Sequence, residues 1–217
     1  MIGKDVKVIE YSKKVDFWNS FTHAAGAVLS VIGVIMLEAK AVDTRHKSAG
    51  IIYGIALVAV YTMSAVYHGL PNGEAKRRAR LADHCTVPVL IAGTATPCAL
   101  ITLYNISVMH GTLVLLLAWG CTLFGIFSKL FFFERLKTVT VAVYIISGVL
   151  MLLSVVPIVN QINTAAFGEI LAGCLCYLIG AILCGLGIKR PCLHPVFHVF
   201  VLFGSMFHFY AIYNYMF

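Results

Sequence analysis

The residues with chemistry to offer are the histidines, acids and hydroxyls that interrupt otherwise apolar sequence. His194 and His198 stand four apart, so on a helix both imidazoles face one way and can share a metal ion. Ser64 precedes His68 by the same interval, which sets its hydroxyl one turn away on the same face. Between His68 and Asp83 lies Leu70–Ala82, read as a loop that opens with the turn signal Pro71-Asn72-Gly73. Helices flanking such a loop are antiparallel neighbours, which brings His68 toward Asp83. His68, His194 and His198 then form a three-imidazole ligand set with a fourth position open, the arrangement of a catalytic metal site. Asp83 is suited to be a fourth ligand or, better, the base that takes a proton from water, with Ser64 orienting water or a carbonyl. His84 turns about 100° away from Asp83 on a helix and reads as a neighbour. His23 reads either as a span-end anchor or as a support behind the ligands. His208, ten residues past His198 and so about 15 Å along the helix, is too far for the same ion. His46 and His110 read as solvated.

These residues must be carried by elements that live in lipid. The 217-residue chain is 60% hydrophobic and 12% charged, with a mean hydropathy of +0.92. A soluble domain is about a quarter charged, and a chain this short could not hide so much apolar surface in water. That excludes a soluble enzyme, a nucleic-acid module and a disulfide-stapled secreted domain. Seven cysteines, an odd number, give no disulfide framework. Seven apolar stretches of about 20 residues, long enough to cross ~30 Å of hydrocarbon, are read at Asn19–Leu37, Ala49–Gly69, Asp83–Tyr104, Ser107–Phe127, Val139–Ile158, Ala165–Ile188 and Leu193–Phe217. The expected fold is all-α: one integral-membrane domain over residues 1–217, a seven-transmembrane helix bundle preceded by a cytoplasmic N-terminal segment, 1–18. Of 16 Lys and Arg, 13 fall on alternate connections beginning with the N-terminal segment, which predicts a cytoplasmic N-terminus and a C-terminus outside. Lys13 and Lys14 ahead of the first apolar run resemble a secretory signal, but the run is too long and Glu38 interrupts its end, so it is read as a retained span. The run Lys76-Arg77-Arg78-Ala79-Arg80 is read as a topology determinant that also attracts anionic headgroups. Gly50-x-x-x-Gly54 would let two helices approach closely.

Three motifs carry a resemblance over nearly the whole chain: Asp16-x-x-Asn19-x-x-x-His23; Ser64-Ala-Val-Tyr-His68 followed by Asp83; and His194-Pro-Val-Phe-His198 running into Phe207-His208-Phe209. The chain resembles the hemolysin III family, the bacterial branch of the progestin and adipoQ receptor family. Asp16 departs from the glutamate usual in the first motif. The resemblance implies a Zn2+ ion on His68, His194 and His198 near the cytoplasmic face, with Asp83 and Ser64 catalytic and Asn19 and His23 supporting the ligands. Alkaline ceramidases of the wider superfamily imply hydrolysis of a lipid amide or ester and a part in membrane lipid homeostasis. The alternatives are a non-catalytic zinc-containing membrane receptor or regulator, and, from the family name, a pore-forming cytolysin. The expected partners are membrane lipids and a lipid substrate, with a homo-oligomer left open and no nucleic acid. The expected location is the bacterial cytoplasmic membrane.

Overall fold

The computed structural model describes residues 3, 5–155 and 164–217, with backbone alone given for 154 and 155. The described residues are helical or in short connections. Helix α1 spans Lys13–Lys40, α2 Thr44–Gly69 and α3 Glu74–Ile106. Then follow α4 Val108–Phe132, α5 Lys137–Val155, α6 Thr164–Gly187 and α7 Leu193–Tyr215. All except α5 are long and apolar enough to cross a membrane; α5 is a shorter apolar helix. The last residues of the fifth expected span, 156–158, lie outside the described residues. With its lipid-facing rows of exposed Leu, Ile, Val and Phe, the chain is an integral membrane protein.

Local sequence sets the helix starts. Ser12 Oγ accepts from the Val15 amide to cap α1, and Asp43 caps α2 by accepting from the His46 amide at 2.9 Å. That amide, followed by the His46 side chain, holds the Asp43 carboxyl below the usual carboxylate range. Gly73, at φ 152°, turns the chain into α3, so Leu70–Ala82 is not a loop as expected. Only 70–73 connect the helices, and the basic run lies on the first turns of α3. Residues 13–18, expected in the N-terminal segment, are likewise the first turns of α1. Inside α3, Pro97 supplies no amide hydrogen, and directly after it the helix widens into a π-turn, Cys98–Leu103.

Helix α1 shows how packing positions the site. Its buried residues, Asn19, His23, Gly26, Ser30, Gly33 and Leu37, recur at alternating intervals of four and three. The small residues along the stripe admit close neighbours. A Cβ on Gly26 would sit 2.7 Å from Leu202 Cδ2, so α1 and α7 meet nearly backbone to side chain. A Cβ on Gly54 would collide with Val34, so the small-residue pattern of α2 does serve contact with α1. The core between α1, α2 and α7 is built on Leu37, Tyr53, Leu57, Tyr61 and Ile212. At one end the stripe turns polar, with Asn19 and His23, and there the ends of α1, α2, α3 and α7 surround the candidate site.

Candidate metal centre

His68, His194 and His198 converge: each offers a ring nitrogen, and the three lie within 4.8 Å of one another. Three nitrogens on one tetrahedral zinc at bonding distance would be about 3.4 Å apart, so only a small inward movement of the rings separates the geometry from coordination. His68 and His198 are 3% and 1% exposed; His194 is half-buried. The helical phase seen in the sequence does this work. His194 and His198 share the inward face of α7, and His68 closes the last turn of α2 opposite them.

In two of the three rings Nδ1 is occupied. Asp16 Oδ1 accepts from His68 Nδ1 at 2.9 Å, and its Oδ2 accepts from Lys76 Nζ at 2.7 Å. The backbone carbonyl of Asn19 accepts from His198 Nδ1 at 3.2 Å. Holding Nδ1 in this way fixes each tautomer and leaves Nε2 as the lone-pair donor, the usual support of a metal-bound imidazole. The donor set therefore fits a borderline-soft divalent ion such as Zn2+. Asn19 is also in contact through its side chain, whose amide lies 3.2 Å from His68 Nδ1.

The other expected residues take distinct places. His23 is 3% exposed and stacks on His198, with ring centroids 3.7 Å apart and an interplanar angle of 21°. It touches a ligand face-on and does not join the converging set. Ser64 is 3% exposed, one turn from His68 on α2. Asp83, on α3, is within electrostatic reach of His68 and His23, with 16% of its side chain exposed. Its nearer partner is His84, at 3.3 Å. His84 also donates to the Arg80 carbonyl at 3.0 Å and lies against Phe133, outside the converging set. His208 belongs elsewhere, donating to the Ile170 carbonyl at 3.0 Å.

Asp16, Lys76, Arg80 and Tyr11 escape a reading of spacing alone. Asp16 stood out only as a departure from a family pattern; its carboxylate is the hydrogen-bond partner of one ligand and the ion-pair partner of a buried lysine. Lys76, expected in a basic run that sets topology and attracts anionic headgroups, is 1% exposed, donates to Asp16 and to the Leu70 carbonyl, and faces the Tyr67 ring. Arg80, one turn on, is 8% exposed and donates to the Lys7 carbonyl. Arg77 and Arg78 pair with Glu74. The basic run is thus mostly engaged within the molecule, because positions 76 and 80 share the inward face of a helix that starts at Glu74. Tyr11, before α1, stacks on His194 with centroids 5.0 Å apart and an interplanar angle of 29°. Burial, followed by the neighbouring Tyr67, pushes its phenol pKa up, so it stays protonated at neutral pH. His46, expected to be solvated, has only 14% of its side chain exposed because it pairs with Asp43 at 2.7 Å and packs against Phe217.

Known proteins are similar to this chain along nearly its whole length. A family described as "Haemolysin-III related" matches residues 11–209. "Hemolysin-3" of Bacillus cereus is 31% identical, an alignment covering 100% of this chain and 98% of that protein. "Hemolysin-3 homolog" of Bacillus subtilis (strain 168) is 30% identical over 90% of this chain and 91% of its own. The "Monocyte to macrophage differentiation factor" of Homo sapiens is 27% identical, over 91% of this chain and 83% of its own. The matched region runs from Tyr11 to Phe209 and so includes all three imidazoles, Asp16, Ser64 and Asp83. With six membrane-length apolar helices around a polar end, this chain belongs to the haemolysin III-related family.

Proposed function

We propose that the protein is a membrane-embedded, zinc-dependent hydrolase acting on a lipid amide or ester and serving membrane lipid homeostasis. The observation that carries this reading is the convergence of His68, His194 and His198, with Asp83 close by. In the proposed topology, α5 completes a seventh span, the N-terminus and the site face the cytoplasm, and the protein resides in the bacterial cytoplasmic membrane. The distribution of 13 basic residues on alternate connections supports that direction. A bound Zn2+ supplies a Lewis acid that acidifies water and polarises a carbonyl. The chain's own residues do the rest. Asp16 and the Asn19 carbonyl hold two imidazoles in a ligating orientation. Asp83 takes the proton of the attacking water on its carboxylate and returns it to the leaving amine or alkoxide. Ser64 directs its hydroxyl toward the water or the substrate carbonyl. The site's place among helix ends brings a lipid's headgroup linkage, rather than its chains, to these residues.

The test is a lipid-profile comparison of cells carrying the parent protein or Asp83→Asn. The variant should keep its metal and lose turnover, so one lipid class accumulates only with the variant. Identical profiles together with equal hydrolysis by both purified proteins would remove Asp83 from the role. A second reading, a receptor or regulator with a structural metal, is favoured by the deep burial of His68 and His198, since structural zinc sites are closed. Under that reading His68→Ala destabilises the bundle and no lipid class accumulates.

A further inference from the structure

Two of the three converging imidazoles are fixed by a hydrogen bond at Nδ1, His68 by Asp16 and His198 by the Asn19 carbonyl. His194 has no such anchor among the described residues. Its ring is half-buried in the first turn of α7 and is held by packing: Tyr11 stacks on it at 5.0 Å, and Phe197 tilts against it at 5.2 Å. The Tyr11 ring also reaches to 5.6 Å from His68.

Tyr11 lies in chain without regular secondary structure that is tied down at several points. The Gly3 amide donates to the Leu130 carbonyl at 2.9 Å, and the Gly3 carbonyl accepts from Arg77. Asp5 Oδ2 accepts from the Glu134 amide at 2.9 Å. Val6 is 5% exposed, and the Lys7 carbonyl accepts from Arg80. Ser12 then caps α1. This strap runs from α4 and the α4–α5 connection, across α3, to the site. Its fixed ends leave the Tyr11 ring little freedom to leave His194.

We infer that the N-terminal strap is part of the metal centre and that Tyr11 is the positioning residue for His194, the ligand without a hydrogen-bonded anchor. The inference rests on the three-histidine reading above and adds the N-terminal strap to the helix ends around it. The ring face of Tyr11 does the positioning, so phenylalanine serves equally well and residues without a ring do not. Arg77 and Arg80 act one step further out, by holding the strap in place.

The experiment uses the full chain in detergent micelles, with Zn2+ affinity measured by chelator competition and Co2+ as a spectroscopic probe. Loss of a group that orients a ligand typically weakens metal binding by 10–100-fold, so Tyr11→Ala is expected to bind Zn2+ at least about tenfold more weakly. Its Co2+ complex should lose intensity in the visible bands of a tetrahedral site, while Tyr11→Phe keeps both affinity and spectrum. Tyr11→Leu preserves apolar bulk at the strap and should behave like Tyr11→Ala; it decides the question if the alanine variant fails to give a cooperative metal-free melt. Arg80→Ala should speed proteolysis of residues 5–12 and weaken Zn2+ binding in the same direction. The inference is overturned if Tyr11→Ala and Tyr11→Leu keep the parent's Zn2+ affinity and Co2+ spectrum while His194→Ala loses them, a result that leaves the three-histidine site standing. If the parent binds Zn2+ no better than a variant lacking all three histidines, the site and the strap's role fall together.

Discussion

Removing the Asp16 carboxylate perturbs two things at once, and the geometry separates them. Its Oδ1 lies 2.9 Å from His68 Nδ1 and its Oδ2 lies 2.7 Å from Lys76 Nζ. Through the first contact, Asp16→Ala frees a ligand ring to rotate, and the expected loss in Zn2+ affinity is 10–100-fold, about 1.4–2.8 kcal/mol. Through the second it strands an ammonium that is 1% exposed, leaving it, among the described residues, the Leu70 carbonyl as hydrogen-bond acceptor and the Tyr67 ring face. Breaking a buried pair from one side costs about 3–5 kcal/mol, and the lower figure is expected here because the carboxylate side chain is 18% exposed and water can enter. Lys76→Met should leave the Asp16–His68 bond, and with it Zn2+ affinity, near the parent's. In the double variant the stranded charge is gone, so the melting temperature of metal-free protein should recover most of what Asp16→Ala lost. Its Zn2+ affinity should stay low. Melts in detergent and chelator competition read the two quantities independently. Parent-like affinity in Asp16→Ala, or affinity restored by adding Lys76→Met, would refute the assignment of Asp16 to His68.

Other consequences follow from the packing. Gly54→Ala places a methyl against Val34 and should lower stability by about 1–3 kcal/mol, seen as a reduced melting temperature, without changing metal content. Asp83→Asn should retain metal at the parent's stoichiometry and abolish release of the lipid product, read by elemental analysis and a hydrolysis assay on the same preparation. His208→Phe loses the bond to the Ile170 carbonyl, at a cost of about 1 kcal/mol. Because His208 lies about 15 Å along α7 from His198, Zn2+ affinity should not change.

The three imidazoles were legible because helical phase is legible: an i, i+4 pair on one apolar stretch and a third histidine at the matching end of another leave few arrangements. The membrane character was legible for the same reason that composition is, since apolar surface on this scale has no place in water. What the sequence concealed depends on where helices begin. With 70–82 read as a loop, Lys76 and Arg80 look like solvent-facing charge. With α3 starting at Glu74, the same residues share an inward face and become buried donors to Asp16 and the strap. Tyr11 sits in chain with no periodicity, so no pattern could place its ring on His194. His46 was misjudged because its partner, Asp43, is a capping residue whose role appears only once the start of α2 is fixed.

In the proposed metal centre, three imidazoles from α2 and α7 hold one ion. Elemental analysis of this chain, purified in detergent without chelators, measures that ion. Zinc is expected at a ratio near one per chain, lost in His68→Ala and in His198→Ala, and retained in Asp83→Asn. Protein that carries no metal, or metal that persists after all three histidines are replaced, would contradict that assignment.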